Sequence, residues 1–162
     1  MKLRITRLKS NLNFFDDLVD MLYLEWKPLY FQYGYTTKDS VRKLYESMID
    51  NIYIALTVSP KEKLVGSYSI KKNTISDVYV KEKYRKLGLG YVLVNNAVSR
   101  LWYYYVVRLY SEKSTLKFYK KCGFEATDVR LSNMTLMIRK NHILVFSVAF
   151  IIIAVAIGLM SI

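Results

Sequence analysis

Residues 85–90 read Arg-Lys-Leu-Gly-Leu-Gly and lie between a β-like run and an apolar run with helical spacing. The N-terminus of a helix presents unpaired N–H groups and a partial positive charge, which together attract anions. Gly88 and Gly90 let the backbone approach such an anion closely, because they carry no Cβ. The segment therefore predicts a phosphate-binding loop, with a plain strand-to-helix turn as the alternative. A dinucleotide fold is not favoured, since Leu93 stands where its third glycine is required.

Charge and composition limit the classes of partner. The chain has 162 residues and a net charge of +12, and all of its charged side chains precede residue 143. Such a charge favours an anionic small molecule or an anionic lipid surface. Nucleic acid is not expected as a partner, because the sequence has no compact Arg-rich run and no basic stripe interleaved with aromatic residues. One cysteine and one histidine exclude a zinc site built from those residues, and we expect no metal.

Apolar periodicity predicts the order β-αα-βββ-α-β-α-ββ in one domain over residues 1–140. The predicted fold class is α/β (α+β), with a mostly antiparallel central sheet flanked by helices. We expect Asn11 or Asn13 to cap the first helix, which ends before an aromatic loop at residues 28–35. A later helix over 90–102 leads into a strand over 103–111.

Two motifs make the chain resemble the GNAT superfamily of acetyl-CoA-dependent N-acetyltransferases. The loop at residues 85–90 fits the family's R/Q-x-x-G-x-G/A motif, and residues 115–124 resemble its A-I-x-F-Y-x-K-x-G-F segment. The predicted element order is also that of the family. The resemblance therefore covers residues 1–140.

This resemblance implies an acetyl-CoA site that uses no metal. The main chain of Val78, Tyr79 and Val80 would pair with the pantetheine arm, beside a bulge that separates the central strand from the next one. Tyr119 stands where many members keep a tyrosine near the thioester sulfur. The pyrophosphate would be held by the backbone amides of Arg85, Lys86, Leu87, Gly88, Leu89 and Gly90.

Attack of an amine on a thioester requires a base for the amine proton and an acid for the departing sulfur. Tyr119 is the candidate acid, and Asp77, the only carboxylate on the central strand, is a candidate base. The alternatives are a core-lining aromatic for Tyr119 and a solvated or lysine-paired carboxylate for Asp77. Glu25 and Asp17 on the first helix are further candidate bases. The acceptor wall is expected at Glu25, Trp26, Tyr30 and Tyr33. Packing between helices explains the same aromatic residues as well.

Three positions depart from the family pattern. Lys86 stands where the family usually has glycine, Glu112 where it often has asparagine, and Ser76 near a position that often carries glutamate. Two functions are therefore open. The first is an acetyltransferase that acts on a protein lysine, a protein N-terminus or a small amine. The second is a catalytically inactive GNAT-fold membrane protein that binds partner membrane proteins.

Residues 143–162 form an uncharged run of twenty residues. A helix of that length reaches about 30 Å, the thickness of the hydrocarbon core of a bilayer. We therefore expect a single C-terminal transmembrane helix with membrane lipid as a partner. Arg139, Lys140 and His142 precede the run, which predicts a domain on the cytoplasmic side. The chain is thus expected to be a tail-anchored, single-pass membrane protein.

Overall fold

The computed structural model describes residues 2–58 and 60–141. Within them, four α-helices and seven strands follow one another in the predicted order. The helices are α1 (Phe15–Gln32), α2 (Lys38–Ser47), α3 (Leu89–Arg100) and α4 (Leu116–Lys121). The strands are β1 (Leu3–Arg7), β2 (Ile52–Thr57), β3 (Lys63–Lys71), β4 (Thr74–Val80), β5 (Val106–Glu112), β6 (Glu125–Leu131) and β7 (Met134–Lys140). They belong to a mixed sheet with the order β1-β2-β3-β4-β5-β7-β6, in which β4 and β5 are parallel.

The predicted transmembrane run, residues 143–162, lies outside the described residues. Among residues 2–58 and 60–141, no helix is both long enough and apolar enough to cross a bilayer. The described part of the chain divides into two compact units. The first comprises Met1–Lys71 with Ser76–Val94, and the second comprises Lys72–Ile75 with the chain from Asn95 onward.

The first unit is built on the antiparallel strands β1, β2 and β3, with α1 and α2 supplying the other side of its core. Helix α2 starts with a capping box. The Thr37 hydroxyl accepts from the Ser40 N–H at 3.1 Å, and the Ser40 hydroxyl accepts from the Thr37 N–H at 3.2 Å. The buried residues of this core include Leu18, Leu22, Val41, Tyr45, Ile54 and Leu56.

Helix α1 differs from the prediction at both ends. It continues to Gln32, through the segment expected to be an aromatic loop, and its backbone leaves helical geometry only at Trp26 (φ −113°, ψ 20°). Pro28 explains this kink, because proline lacks the N–H for an i−4 bond and its ring clashes with the preceding turn. The predicted asparagine cap was also wrong. Phe14 is the N-cap, and the Asn11 amide instead donates to the Thr6 hydroxyl and the Arg7 carbonyl.

In the second unit, β7 pairs antiparallel with both β5 and β6. Helix α3 ends at Arg100 rather than at residue 102, and β5 begins at Val106 rather than at residue 103. The segment between them is not a strand, because the Leu101 and Tyr104 carbonyls accept hydrogen bonds from the Asn141 side chain instead of from a neighbouring strand.

Candidate active site

The central strand β4 carries a backbone irregularity at Asp77. Asp77 has a φ of +51°, which interrupts the extended conformation three residues before the strand ends. Left-handed geometry costs a non-glycine residue about 1–2 kcal/mol, although aspartate tolerates it better than most. On β3, an added Cβ at Gly66 would lie 2.6 Å from the Tyr79 carbonyl oxygen. Only glycine therefore allows β3 to approach this part of β4.

The Asp77 carboxylate is held by two hydroxyl groups. Its Oδ2 accepts hydrogen bonds from Ser69 Oγ and, at 3.3 Å, from Ser76 Oγ, and the two hydroxyls lie 2.7 Å apart. Among the described residues, Oδ1 has no hydrogen-bond partner. Burial raises the pKa of the Asp77 carboxyl, and the two serine hydrogen bonds offset part of that rise. A carboxyl with a raised pKa and a free oxygen is suited to accept a proton.

Two buried phenols interact electrostatically with the same carboxylate. The hydroxyls of Tyr30 on α1 and Tyr45 on α2 lie 2.7 Å apart. Burial raises the pKa of both phenols, and the charge of Asp77 raises it further. Tyr30 is therefore part of the core of the first unit. Tyr33, in contrast, follows the end of α1 and is 55% exposed.

Arg85 joins the glycine loop to the kinked part of α1. Its Nη2 donates to Glu25 Oε1 at 2.9 Å, and its Nε donates to the Val80 carbonyl at 3.0 Å. The guanidinium also lies 5.4 Å from the centre of the Tyr79 ring, and the Tyr79 hydroxyl donates to Glu25 at 3.2 Å. Trp26 packs its edge against the same ring at 5.8 Å. Glu25, Trp26, Tyr79, Val80 and Arg85 thus form one cluster in the first unit.

The glycine loop contains two residues with left-handed backbone geometry. Gly88 has a φ of +78°, and no heavy atom lies within 4 Å of the position that its Cβ would occupy. Lys86, which stands where the family usually has glycine, also adopts left-handed geometry with a φ of +63°. The backbone N–H of Arg85 was expected to bind the pyrophosphate, but it donates to the Glu82 carbonyl at 2.9 Å. The backbone N–H groups of Lys86, Leu87 and Gly88 donate to no backbone acceptor within the described chain. Leu89 and Gly90 are the first residues of α3.

A pocket of about 440 Å³ lies beside this cluster in the first unit. Three carboxylates line it, together with the apolar side chains of Met21 and Leu24 and the polar ends of Tyr79 and Lys81. The carboxylates are those of Asp17, Asp20 and Glu25. Asp20 is paired with Lys38 and Glu25 with Arg85, whereas Asp17 has no ion-pair partner in the described part of the chain. Of the predicted acceptor wall, Glu25 lines this pocket, and Trp26, Tyr30 and Tyr33 do not.

Tyr119 lies on α4 in the second unit. Its ring packs against Phe118 at 5.0 Å and Phe124 at 6.3 Å, and its hydroxyl has no hydrogen-bond partner among residues 2–58 and 60–141. Burial raises the pKa of Tyr119 to about 12, so the phenol is protonated at neutral pH. Such a phenol is a weak acid towards a thiolate, whose conjugate thiol has a pKa of about 8.5. It is better suited to donate a hydrogen bond to the sulfur than to transfer its proton completely.

Several residues of the site were missed by sequence reasoning. Gly66 could have been found from the sequence, because a glycine inside a strand often marks the close approach of another backbone. Asp20 lies on the same helical face as Asp17, which is a weaker sequence signal that the two belong to one site. No sequence signal pointed to Ser69, because its contact with Asp77 depends on the pairing of β3 with β4.

The family model described as an acetyltransferase (GNAT) domain matches residues 30–136. The match covers more than half of the chain, which therefore belongs to the GNAT acetyltransferase family. It is an N-acetyltransferase whose co-substrate is acetyl-CoA, and no group of metal-binding side chains occurs among the described residues. No curated protein matches the chain by sequence.

Solved structures share the fold. The PaiA N-acetyltransferase of Thermoplasma acidophilum, in complex with coenzyme A, has a TM-score of 0.61 at 20% identity, covering 86% of this chain and 99% of that one. A GNAT-family acetyltransferase of Staphylococcus aureus has a TM-score of 0.64 at 13% identity, over 86% and 99% of the two chains. A chimera of the Vibrio cholerae spermidine N-acetyltransferase SpeG and hSSAT has a TM-score of 0.62 at 15% identity, over 87% and 96%.

Proposed function

We propose that this chain is a membrane-tethered N-acetyltransferase that moves the acetyl group of acetyl-CoA to a positively charged primary amine. The observation that supports this acceptor class is Asp17, which lines the pocket and has no ion-pair partner in the described part of the chain, whereas Asp20 and Glu25 are already paired with cations. An unpaired carboxylate in a concave site attracts a cation even in a chain whose net charge is +12. The acceptors that fit are a small polyamine, a lysine side chain or a protein N-terminus. By its name, one of the structurally similar proteins acetylates spermidine.

In the proposed reaction, the amine nitrogen bonds to the thioester carbonyl carbon, the carbon–sulfur bond breaks, and the sulfur leaves with its electron pair. The charged amine loses one proton before the attack, and the free Oδ1 of Asp77 accepts it. The second proton that leaves the nitrogen passes to the departing sulfur, which is released as the coenzyme A thiol. The Tyr119 hydroxyl donates a hydrogen bond to the sulfur, a role that comes from the family resemblance. The loop around Gly88 binds the phosphates through backbone N–H groups, and Arg85 positions Val80 by bonding to its carbonyl.

The acceptor proposal is tested by comparing two neighbouring aspartates. We expect Asp17→Asn to raise the KM for a cationic acceptor by about threefold, since it removes one partly solvated charge from the pocket. Asp16→Asn is the matched control, because Asp16 is paired with Arg42 and does not line the pocket.

The measurement is release of the coenzyme A thiol by the full chain in detergent. Spermidine, a lysine peptide and a peptide with a free N-terminus are supplied in turn as acceptors. Turnover with none of the three would contradict the proposed acceptor class. An equal change of KM in the two aspartate variants would show that the pocket does not bind the acceptor.

Tyr119→Phe is expected to lower kcat by about tenfold while leaving the affinity for acetyl-CoA unchanged. The variant keeps the ring packing but loses one hydrogen bond to the sulfur, worth roughly 1–1.5 kcal/mol. Phe118→Leu is a control for packing on α4, because it alters the neighbouring ring without touching the hydroxyl. An unchanged kcat in Tyr119→Phe would make this residue a packing aromatic only.

We also propose that residues 143–162 cross a membrane, with the acetyltransferase domain on the cytoplasmic side. The support is the absence of charge over twenty residues and the position of Arg139 and Lys140 just before them. Acetyl-CoA in the cytosol would then be available to the site.

The double variant Ile152→Arg, Val155→Arg is expected to move the protein from the membrane fraction to the soluble fraction. Each arginine costs about 2.5–3.5 kcal/mol at the centre of a span, which offsets most of the apolar contribution. Binding of acetyl-CoA should be retained, since the substitutions lie outside the site. Protease added to sealed vesicles should digest the wild-type domain, and a protected domain would reverse the proposed orientation.

A further inference from the structure

Four consecutive aromatic residues connect α3 to β5, and three of them are largely exposed. We call residues 102–105 the aromatic loop. Trp102, Tyr103 and Tyr105 are 57%, 55% and 49% exposed. The rings lie against one another, with centroids 6.1 Å apart for Trp102 and Tyr103 and 4.6 Å apart for Tyr103 and Tyr104. The rings of Trp102, Tyr103 and Tyr104 thus form a contiguous aromatic patch, a feature that marks a contact surface rather than ordinary solvated surface.

The aromatic loop is bonded to the residue that follows β7. The Asn141 N–H donates to the Tyr105 carbonyl at 2.9 Å, and its side-chain amide donates to the carbonyls of Leu101 at 3.0 Å and Tyr104 at 2.9 Å. Asn141 is itself buried, with 8% of its surface exposed. The uncharged run starts at residue 143, and two residues of chain span at most about 7 Å. The patch therefore lies at the point where the chain enters that run.

Positive charge lies beside the patch. Lys140 pairs in register with Val106, and Arg108 lies two residues further along β5, so both side chains project from the same face of the β5–β7 pair. Both residues are exposed, and neither has an ion-pair partner within the described residues. An anionic leaflet attracts lysine and arginine that lie close to it.

We propose that the aromatic loop is a membrane-docking surface that inserts its rings among the lipid headgroups of the bilayer. This inference rests on the proposed membrane span. Tryptophan and tyrosine favour this layer, because each combines a large apolar ring with a polar N–H or O–H that remains hydrated. With Asn141 fixing the loop to the end of β7, the second unit is held against the membrane instead of moving freely on a tether.

Depth-dependent fluorescence quenching tests this proposal on the full chain in vesicles containing phosphatidylserine. The chain has two tryptophans, so Trp26→Phe leaves Trp102 as the only one. We expect lipids brominated near the headgroup to quench Trp102 more strongly than lipids brominated at the bilayer centre. The difference in quenching between wild type and Trp102→Phe also measures the quenching of Trp102, and it does so without altering Trp26.

The matched control places a tryptophan at the other end of β7. Leu131 is 53% exposed and pairs with Met134, about 20 Å along the strand from Lys140. Leu131→Trp, in a chain with Trp26→Phe and Trp102→Phe, should show little quenching by either lipid.

If the wild type sediments with vesicles but Trp102 is quenched no more than the control, the docking surface is wrong and the span stands. If the protein does not sediment with vesicles, both fail. Shielding of Trp102 from acrylamide without quenching by lipid would assign the loop to a protein contact and overturn the proposal.

Discussion

Replacing Gly88 with glutamate is expected to abolish the binding of acetyl-CoA. The backbone of Gly88 has a φ of +78°, which costs residues with a side chain about 1–2 kcal/mol. The new carboxylate would also lie beside the phosphates, and two like charges at about 4 Å repel each other by about 1–4 kcal/mol near a protein surface. The repulsion alone corresponds to a loss of affinity of up to about 1,000-fold, whereas the backbone cost falls on the free and the bound protein alike. Calorimetry with acetyl-CoA on the full chain in detergent measures it.

Gly34→Glu is the matched control for this experiment. Gly34 has a φ of +84°, and nothing lies within 4 Å of its Cβ position, so the variant carries the same backbone cost and the same charge outside the loop. Affinity for acetyl-CoA should be unchanged in Gly34→Glu. If both variants lost affinity to the same degree, the effect would come from destabilisation of the chain. If neither lost it, the loop would not be the phosphate site.

Asp77→Asn is expected to lower kcat by about 10²-fold or more, because a positioned general base contributes 10²–10⁴-fold. Asparagine keeps the size of the side chain, tolerates left-handed geometry and still accepts hydrogen bonds from Ser69 and Ser76. The affinity for acetyl-CoA should therefore remain. Wild-type turnover in this variant would exclude Asp77 as the base.

The same variant is expected to be more stable than the wild type at neutral pH. The folded protein raises the pKa of Asp77 above the unfolded value of about 3.9. A group of this kind stabilises the folded state below the unfolded pKa, and that contribution is lost as the pH rises through the folded pKa. Asparagine does not ionise, so the difference in Tm should be small near pH 4 and grow as the pH increases. A difference that does not change with pH would contradict the assigned environment of Asp77.

Two serines on β3 provide a control within one strand. Ser69→Ala removes a hydrogen bond to Asp77 that lowers its pKa, so the acidic limb of the kcat/KM profile should move to higher pH. Ser67 is equally buried, lies two residues away, and its hydroxyl has no partner in the described chain. Ser67→Ala should leave the profile unchanged. Tyr30 and Tyr45, the helix residues that interact electrostatically with Asp77, have raised pKa values and stay neutral over this range.

The order of the elements followed from the sequence alone, and the sequence also placed the glycine loop between β4 and α3. Strand and helix periods are local properties, and the motif at residues 85–90 lies within one short segment. The same local reasoning failed at Pro28, where a proline was interpreted as the end of a helix. The packing of Tyr30 against Tyr45 stabilises the turn beyond it, a contact between residues 15 positions apart.

The chemistry of the site was decided by tertiary structure. Ser69 reaches Asp77 only because β3 and β4 are neighbours, and Glu25 reaches Arg85 across a separation of 60 residues. The sequence indicated that Asp77 is the only carboxylate on its strand, but its raised pKa arises from burial and from hydroxyl groups on another strand. Proton affinity depends on all groups around a carboxyl, and these are brought together by long-range packing that no local pattern in the sequence encodes.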